Sequence, residues 1–264
     1  MISPMVIPPA VPASPFLTPQ GSTPLRRSIA NRAIATAITV MERLHVPLPP
    51  FAFFTPEQWT ALAADSHSAA SAAEVRDCML GWDVTDFGSR KFHELGRTLF
   101  TLRNGIASNP RYPKPYAEKF LIEPEGQRSP IHYHVKKRED IINRGGGNII
   151  VCLHTIGNDS LPCPHGTIEV SIDGFRRTVR AGDKIRLRPG KSVSIPPSTF
   201  HQFWAEPGTG LHIDGIGYTI SGEVSSVCDD WRDNHFIDPW ANRFPGIIED
   251  TPATHLLCHE YPRP

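Results

Sequence analysis

The chain has 264 residues, 27 basic and 27 acidic side chains, zero net charge at neutral pH and 39% hydrophobic content. That length and apolar share suffice for one large domain or two small ones with a real core. The balanced charge offers no positive field to a polyanion, and no apolar run approaches the ~20 residues of a membrane helix, so neither nucleic acid nor membrane is an expected partner.

In chain order, residues 1–24 are Pro-rich and poor in charge, which predicts an extended arm. From Leu25 to Leu44, Ile29, Ala33, Ile34, Ile38, Met41 and Leu44 recur at steps of three and four, the spacing of one helical face. "VPLPPFAFF" breaks that helix. "TPEQWTALAAD" starts another, with Thr55 as N-cap, Pro56 in the first turn and Gln58 completing a capping box. "SAASAAEVRDCML" predicts a third helix. These elements are expected to form a helical layer over residues 25–90, on a single domain spanning 25–264.

After Phe92 the texture changes to short β-branched or alternating segments, each closed by Gly, Pro, Asn or Asp. Examples are "YAEKFLIEP", "GNIIVCLHTI", "GTIEVSIDG" and "GLHIDGIGYTISGEVSSV". Such a series with almost no helix between members predicts a mainly β fold, an antiparallel sandwich or barrel over residues 91–264. "VSIDGFRRTV" is a hairpin with Asp173-Gly174 at its turn. The five cysteines, Cys78, Cys152, Cys163, Cys228 and Cys258, are scattered, odd in number and without a CxxC pair, which reads as reduced thiols of a cytoplasmic protein.

The chemistry concentrates in "GQRSPIHYHVKKREDIINRGG". On a strand, residues i and i+2 share a face, so His132 and His134 project together, with Tyr133 behind them. Glu139 follows five residues later and could return to the same point, and "SIPPSTFHQFW" offers His201 as a fourth ligand. Three imidazoles and a carboxylate without a thiolate suit Mn²⁺, Co²⁺, Fe²⁺ or Zn²⁺ with positions left open for substrate.

The spacing from Gly126 to Gly146, G-x5-H-x-H-x4-E-x6-G, resembles the first motif of the cupin superfamily. Gly190, Pro196 and His201 resemble its second motif, in which Ser198 replaces a glycine and Ala205 an asparagine. The resemblance implies a jelly-roll barrel with His132, His134, Glu139 and His201 as metal ligands.

Two more segments narrow the reading. Lys119 lies thirteen residues before His132, and a tight turn at "PEGQ" would make their strands neighbours. Glu223 ends "TISGEV", with Asp229, Asp230 and Asp233 after it. A solvent-facing edge lysine and a solvated acidic loop are the competing interpretations. Together, "YAEKFLI", "HYHVKKREDIINRGGGN", "SIPPSTFHQFW" and "GEVSSV" resemble the D-lyxose isomerase family over about residues 26–245, with Cys228 and His235 where Asn and Arg would be expected. That resemblance implies a metal-dependent aldose–ketose isomerase, Mn²⁺ being the first choice, acting on D-lyxose and D-xylulose and also on D-mannose and D-fructose through an enediol. It implies Glu223 and Lys119 as the acid–base pair, with Glu223 taking the carbon-bound proton and the reverse assignment left open. It further implies a monosaccharide as the small-molecule partner and a homodimer as the assembly. Asp229, Asp230 and Trp204 are the expected sugar contacts. An Fe²⁺ cupin dioxygenase using the same ligands and a non-catalytic sugar-binding cupin are the alternatives.

Overall fold

The computed structural model describes residues 23–263; residues 1–22, most of the expected Pro-rich arm, lie outside them. Helix α1 (Arg27–Arg43) buries Ala30, Ile34, Ala37, Val40 and Met41 along one face, as the three- and four-residue spacing requires. Helix α2 (Pro56–Ala64) begins at a capping box: the Thr55 hydroxyl accepts from the Gln58 amide, and the Gln58 side chain accepts from the Thr55 amide. The expected third helix is two short ones, α3 (Ser66–Ser71), capped by Asp65, and α4 (Ala73–Asp77), with Ala72 leaving helical geometry between them. Among the described residues, no helix is long and apolar enough to cross a membrane.

The helices end at Asp77, and a strand the sequence pattern did not reveal, β1 (Gly81–Thr85), follows inside the span read as helical layer. All five of its residues are buried, so the polar–apolar alternation that marks a half-exposed strand is missing. The remaining strands are β2 (Arg97–Arg103), β3 (Tyr116–Pro124), β4 (His132–Tyr133), β5 (Glu139–Gly145), β6 (Ile149–Ile156), β7 (Pro162–Cys163) and β8 (Thr167–Ile172). They continue with β9 (Phe175–Arg180), β10 (Lys184–Leu187), β11 (Ser192–Ile195), β12 (Phe200–Ala205), β13 (Leu211–Ile213), β14 (Ile216–Ser226) and β15 (His235–Phe236).

Two curled antiparallel sheets result. The larger runs β1-β2-β3-β14-β5-β11-β8-β9 with β13 on β14, and the smaller β10-β6-β12-β4-β15 with β7 on β6. The period of two along each strand divides the core. Phe100, Phe120, Ile122 and Ile220 pack outward against α1, and Leu257 near the C-terminus joins them. Leu99, Leu121 and Ile141 point between the sheets and meet Val151, Leu153 and Phe203 of the smaller sheet. The Asp173-Gly174 turn joins β8 to β9 with both residues at positive φ, 51° and 82°, the geometry of a two-residue hairpin.

Candidate metal centre and catalytic pocket

The cavity between the sheets holds the predicted ligands. His132 on β4 is the cross-strand partner of His201 on β12, and the two ring centroids are 4.3 Å apart. His134, just beyond β4, lies 5.1 Å from the His132 ring and 5.3 Å from that of His201. Each ring donates its Nδ1 proton to a backbone carbonyl: His132 to Pro130 at 2.9 Å, His134 to Asp233 at 2.7 Å and His201 to Thr199 at 2.9 Å. A carbonyl can only accept, so each tautomer is fixed and each Nε2 keeps its lone pair for the cavity. One ligand atom from each ring lies within 4.8 Å of the other two.

Glu139 reaches the same point from the larger sheet, at the start of β5, with Oε1 2.8 Å from His201 Nε2. That contact lacks hydrogen-bond geometry: His134 Nε2, His201 Nε2 and Glu139 Oε1 are buried with no hydrogen-bond partner. Buried polar atoms are rarely left unpaired, and convergent lone pairs of two element types are what a divalent cation needs. The residues therefore fit such an ion. Burial and the neighbouring rings hold His132 well below its ordinary value, and burial with the nearby Lys137 ammonium holds His134 at about 3.

Lys119 and Glu223 are also inside, but not by the expected route. The strands flanking the "PEGQ" turn belong to different sheets; Lys119 on β3 pairs with Glu223 on β14 and faces the histidines from across the cavity. The Lys119 ammonium donates to Cys228 Sγ at 2.9 Å and lies 3.3 Å from Asp230 Oδ2. Burial pulls its pKa down, but Asp230, Cys228 and Glu223 together push it above its ordinary value. Lys119 is thus a protonated donor rather than an amine titrating near neutrality. Burial raises the Glu223 carboxyl, yet Lys137 and then Lys119 outweigh it and hold the group ionised.

Lys137, in the highly charged "VKKR" before Glu139, was not singled out in the sequence. Its ammonium is buried, 2.7 Å from Glu139 Oε2 and 2.9 Å from Glu223 Oε1, and it ties the ligand carboxylate to the candidate base. Arg97 and Arg243 also line the cavity. Arg243 pairs with Asp83 and lies 3.9 Å from Asp230, extending a buried line of alternating charges away from Lys119.

The expected sugar contacts, Trp204, Asp229 and Asp230, do not share one place. Trp204 lies one residue out of phase with the inward-facing His201 and Phe203, and the Arg128 guanidinium covers its ring at 4.0 Å. It does not line the metal cavity. Asp229 is exposed and borders a second cavity of about 290 Å³, while Asp230 and Lys119 line both cavities. His235 stacks on Tyr133 at 4.9 Å and does not line the metal cavity. Cys228 occupies its Asn-like position as a thiol donating to Asp230 at 3.1 Å, pushed up to about 12 by burial and by Asp230. Among the described residues one other group has metal-ligand types, Asp83, Cys258 and His259, but Arg243 already engages that aspartate.

A two-sheet antiparallel barrel with histidines and a carboxylate converging inside it defines a cupin-type protein. Comparison with known proteins narrows this. The family model for D-lyxose isomerase matches residues 25–261. The D-lyxose/D-mannose isomerase of Escherichia coli O157:H7 is 45% identical over 237 residues, 90% of this chain and 98% of that one. The protein of the same name from Serratia proteamaculans is 44% identical over 240 residues, 90% of this chain and 99% of its own. Among solved structures, the L-ribose isomerase of Acinetobacter sp. DL28 in complex with L-ribose matches the fold with a TM-score of 0.55 at 14% identity, over 87% of this chain and 100% of that one. The chain belongs to the D-lyxose isomerase family. It is a sugar aldose–ketose isomerase.

Proposed function

We propose that the enzyme interconverts D-lyxose and D-xylulose, and D-mannose and D-fructose, with one divalent cation, Mn²⁺ first among the candidates, held by His132, His134, Glu139 and His201. The observation that carries this reading is the set of unpartnered Nε2 and carboxylate atoms beside an ionised Glu223 flanked by two ammonium groups. The relatives' names supply the sugars. A divalent cation there supplies Lewis acidity, drawing electron density from the sugar carbonyl. Glu223 takes the proton from the carbon next to the carbonyl and returns it to the neighbouring carbon. Lys119, protonated and buried, donates toward the oxygen that gains charge and stabilises the enediol. Lys137 holds Glu223 and Glu139 in place and keeps Glu223 unprotonated, ready to act as base. Lys119 and Glu223 in the cavity wall give it a proton donor and a carboxylate that isomerisation uses and the dioxygenase alternative would not.

The test is to strip the protein with chelator, return Mn²⁺, Co²⁺, Fe²⁺ or Zn²⁺ singly, and measure D-xylulose formed from D-lyxose. Glu223→Gln and Lys119→Ala are expected to bind metal as the parent does. Glu223→Gln should lose about two to four orders of magnitude in kcat, the usual contribution of a general base. Near-full turnover in either variant would overturn the assigned mechanism.

A further inference from the structure

Asp233 lies in the acidic loop between β14 and β15, for which a solvated surface was one of the competing interpretations, yet it is 7% exposed. It has no basic side chain within salt-bridge reach among the described residues; its carboxylate is spent on backbone. Oδ1 accepts from the amides of Val135 at 2.9 Å and Lys136 at 3.1 Å. Oδ2 accepts from Lys136 at 3.3 Å and Lys137 at 2.9 Å. Its own main-chain carbonyl accepts the Nδ1 proton of His134 at 2.7 Å. Asp233 is in turn held by its amide, which donates to the Asp229 carbonyl at 3.0 Å.

Between His134 and Glu139 the chain must leave the smaller sheet, turn and enter the larger one, so no strand ladder holds residues 135–138. Three consecutive amides in that crossing point at one carboxylate. Hydrogen bonds to an ionised acceptor are about twice as strong as neutral ones, and here they fix the path of the turn. One residue therefore holds the ring of His134 through its carbonyl and, through its side chain, the turn that delivers Lys137 and Glu139.

We propose that Asp233 is a positioning residue for the cation: it aims His134 Nε2 and sets the approach of Glu139 without touching the ion or the sugar. This rests on the metal site proposed above. Removing a group that orients a metal ligand typically costs 10- to 100-fold in affinity.

The experiment is titration of the chelator-stripped protein with Co²⁺, reading the dissociation constant by calorimetry and the ligand field by visible absorption. Parent protein is expected to bind one ion. Asp233→Ala should raise the dissociation constant at least about tenfold and alter the Co²⁺ spectrum. Asp233→Asn keeps one oxygen for Val135 and Lys136 but sets an amino group against the Lys137 amide, so an intermediate loss is expected. A role confined to stability would lower the thermal midpoint and leave both readouts of the folded protein unchanged. Should Asp233→Ala not fold, Asp233→Asn decides. A dissociation constant within twofold of the parent in the folded variant overturns the proposal, whereas a parent that binds no Co²⁺ overturns the metal site itself.

Discussion

Five ionised side chains, Glu139, Lys137, Glu223, Lys119 and Asp230, stand in succession with alternating sign inside the cavity. Such an arrangement is costly to desolvate and tolerable only while each charge keeps its partner. It also makes stability depend on pH. His132 and His134 fold with pKa values below their unfolded value near 6.5, so below that pH the unfolded chain binds protons that the folded chain refuses. Their contribution is complete above 6.5 and is lost as pH falls below it; for His134 the loss at pH 5 is about 2 kcal/mol. Glu139, Glu223 and Asp230, all depressed, add a loss of the same sign at lower pH. The metal-free protein should therefore melt at a clearly lower temperature at pH 5 than at pH 7.5, as measured by calorimetry. An equal or higher midpoint at pH 5 would show that these histidines are not held neutral.

The elements that bring the ligands together are short, and their turns do much of the positioning. Ser198 stands where the second cupin motif has glycine, and its φ of 56° explains the preference. Its amide donates to the His134 carbonyl at 2.7 Å, so the turn that leads into His201 is tied to another of the proposed ligands. Ser198→Gly should fold with an unchanged or higher thermal midpoint. Ser198→Val, which forces a β-branched residue into the left-handed region, should cost about 1–3 kcal/mol. Denaturant unfolding of both variants checks this, and equal stability would contradict it. The four residues proposed as ligands were legible as a converging set because their spacing is local: a two-residue period, a fixed turn and a motif with defined gaps. Lys137 and Asp233 were not, because a run of charges looks the same in sequence whether water or a partner from a distant strand satisfies it. β1 was hidden for the complementary reason, burial on both faces. Lys119 and Glu223 do lie in the cavity, but by a route the sequence did not show, since the neighbour of β3 is β14 and not the strand after the turn.

At the scale of the whole molecule, the C-terminal segment closes the helix-covered side. Leu257 is fully buried beside α1 and the outer face of the larger sheet. The Arg27 guanidinium binds Glu249 at 2.6 Å and Glu260 at 2.5 Å, and the Tyr261 hydroxyl donates to the Leu80 carbonyl at 2.9 Å. Leu257→Ala should cost about 2–5 kcal/mol of unfolding free energy, as for other fully buried leucines. It should leave the Co²⁺ dissociation constant of the folded protein unchanged, because the segment packs on the face opposite the cavity. A loss of metal affinity there would mean the two faces are coupled. The sheets, held from outside by helices and tail, keep the cavity residues at fixed separations. The measurement that bears most directly on this arrangement is the rate of D-lyxose isomerisation by chelator-stripped protein as Mn²⁺ is returned, plotted against ions bound per chain. The rate should be negligible without the ion, rise in proportion to occupancy and level off at one ion per chain; undiminished turnover in the stripped protein would contradict it.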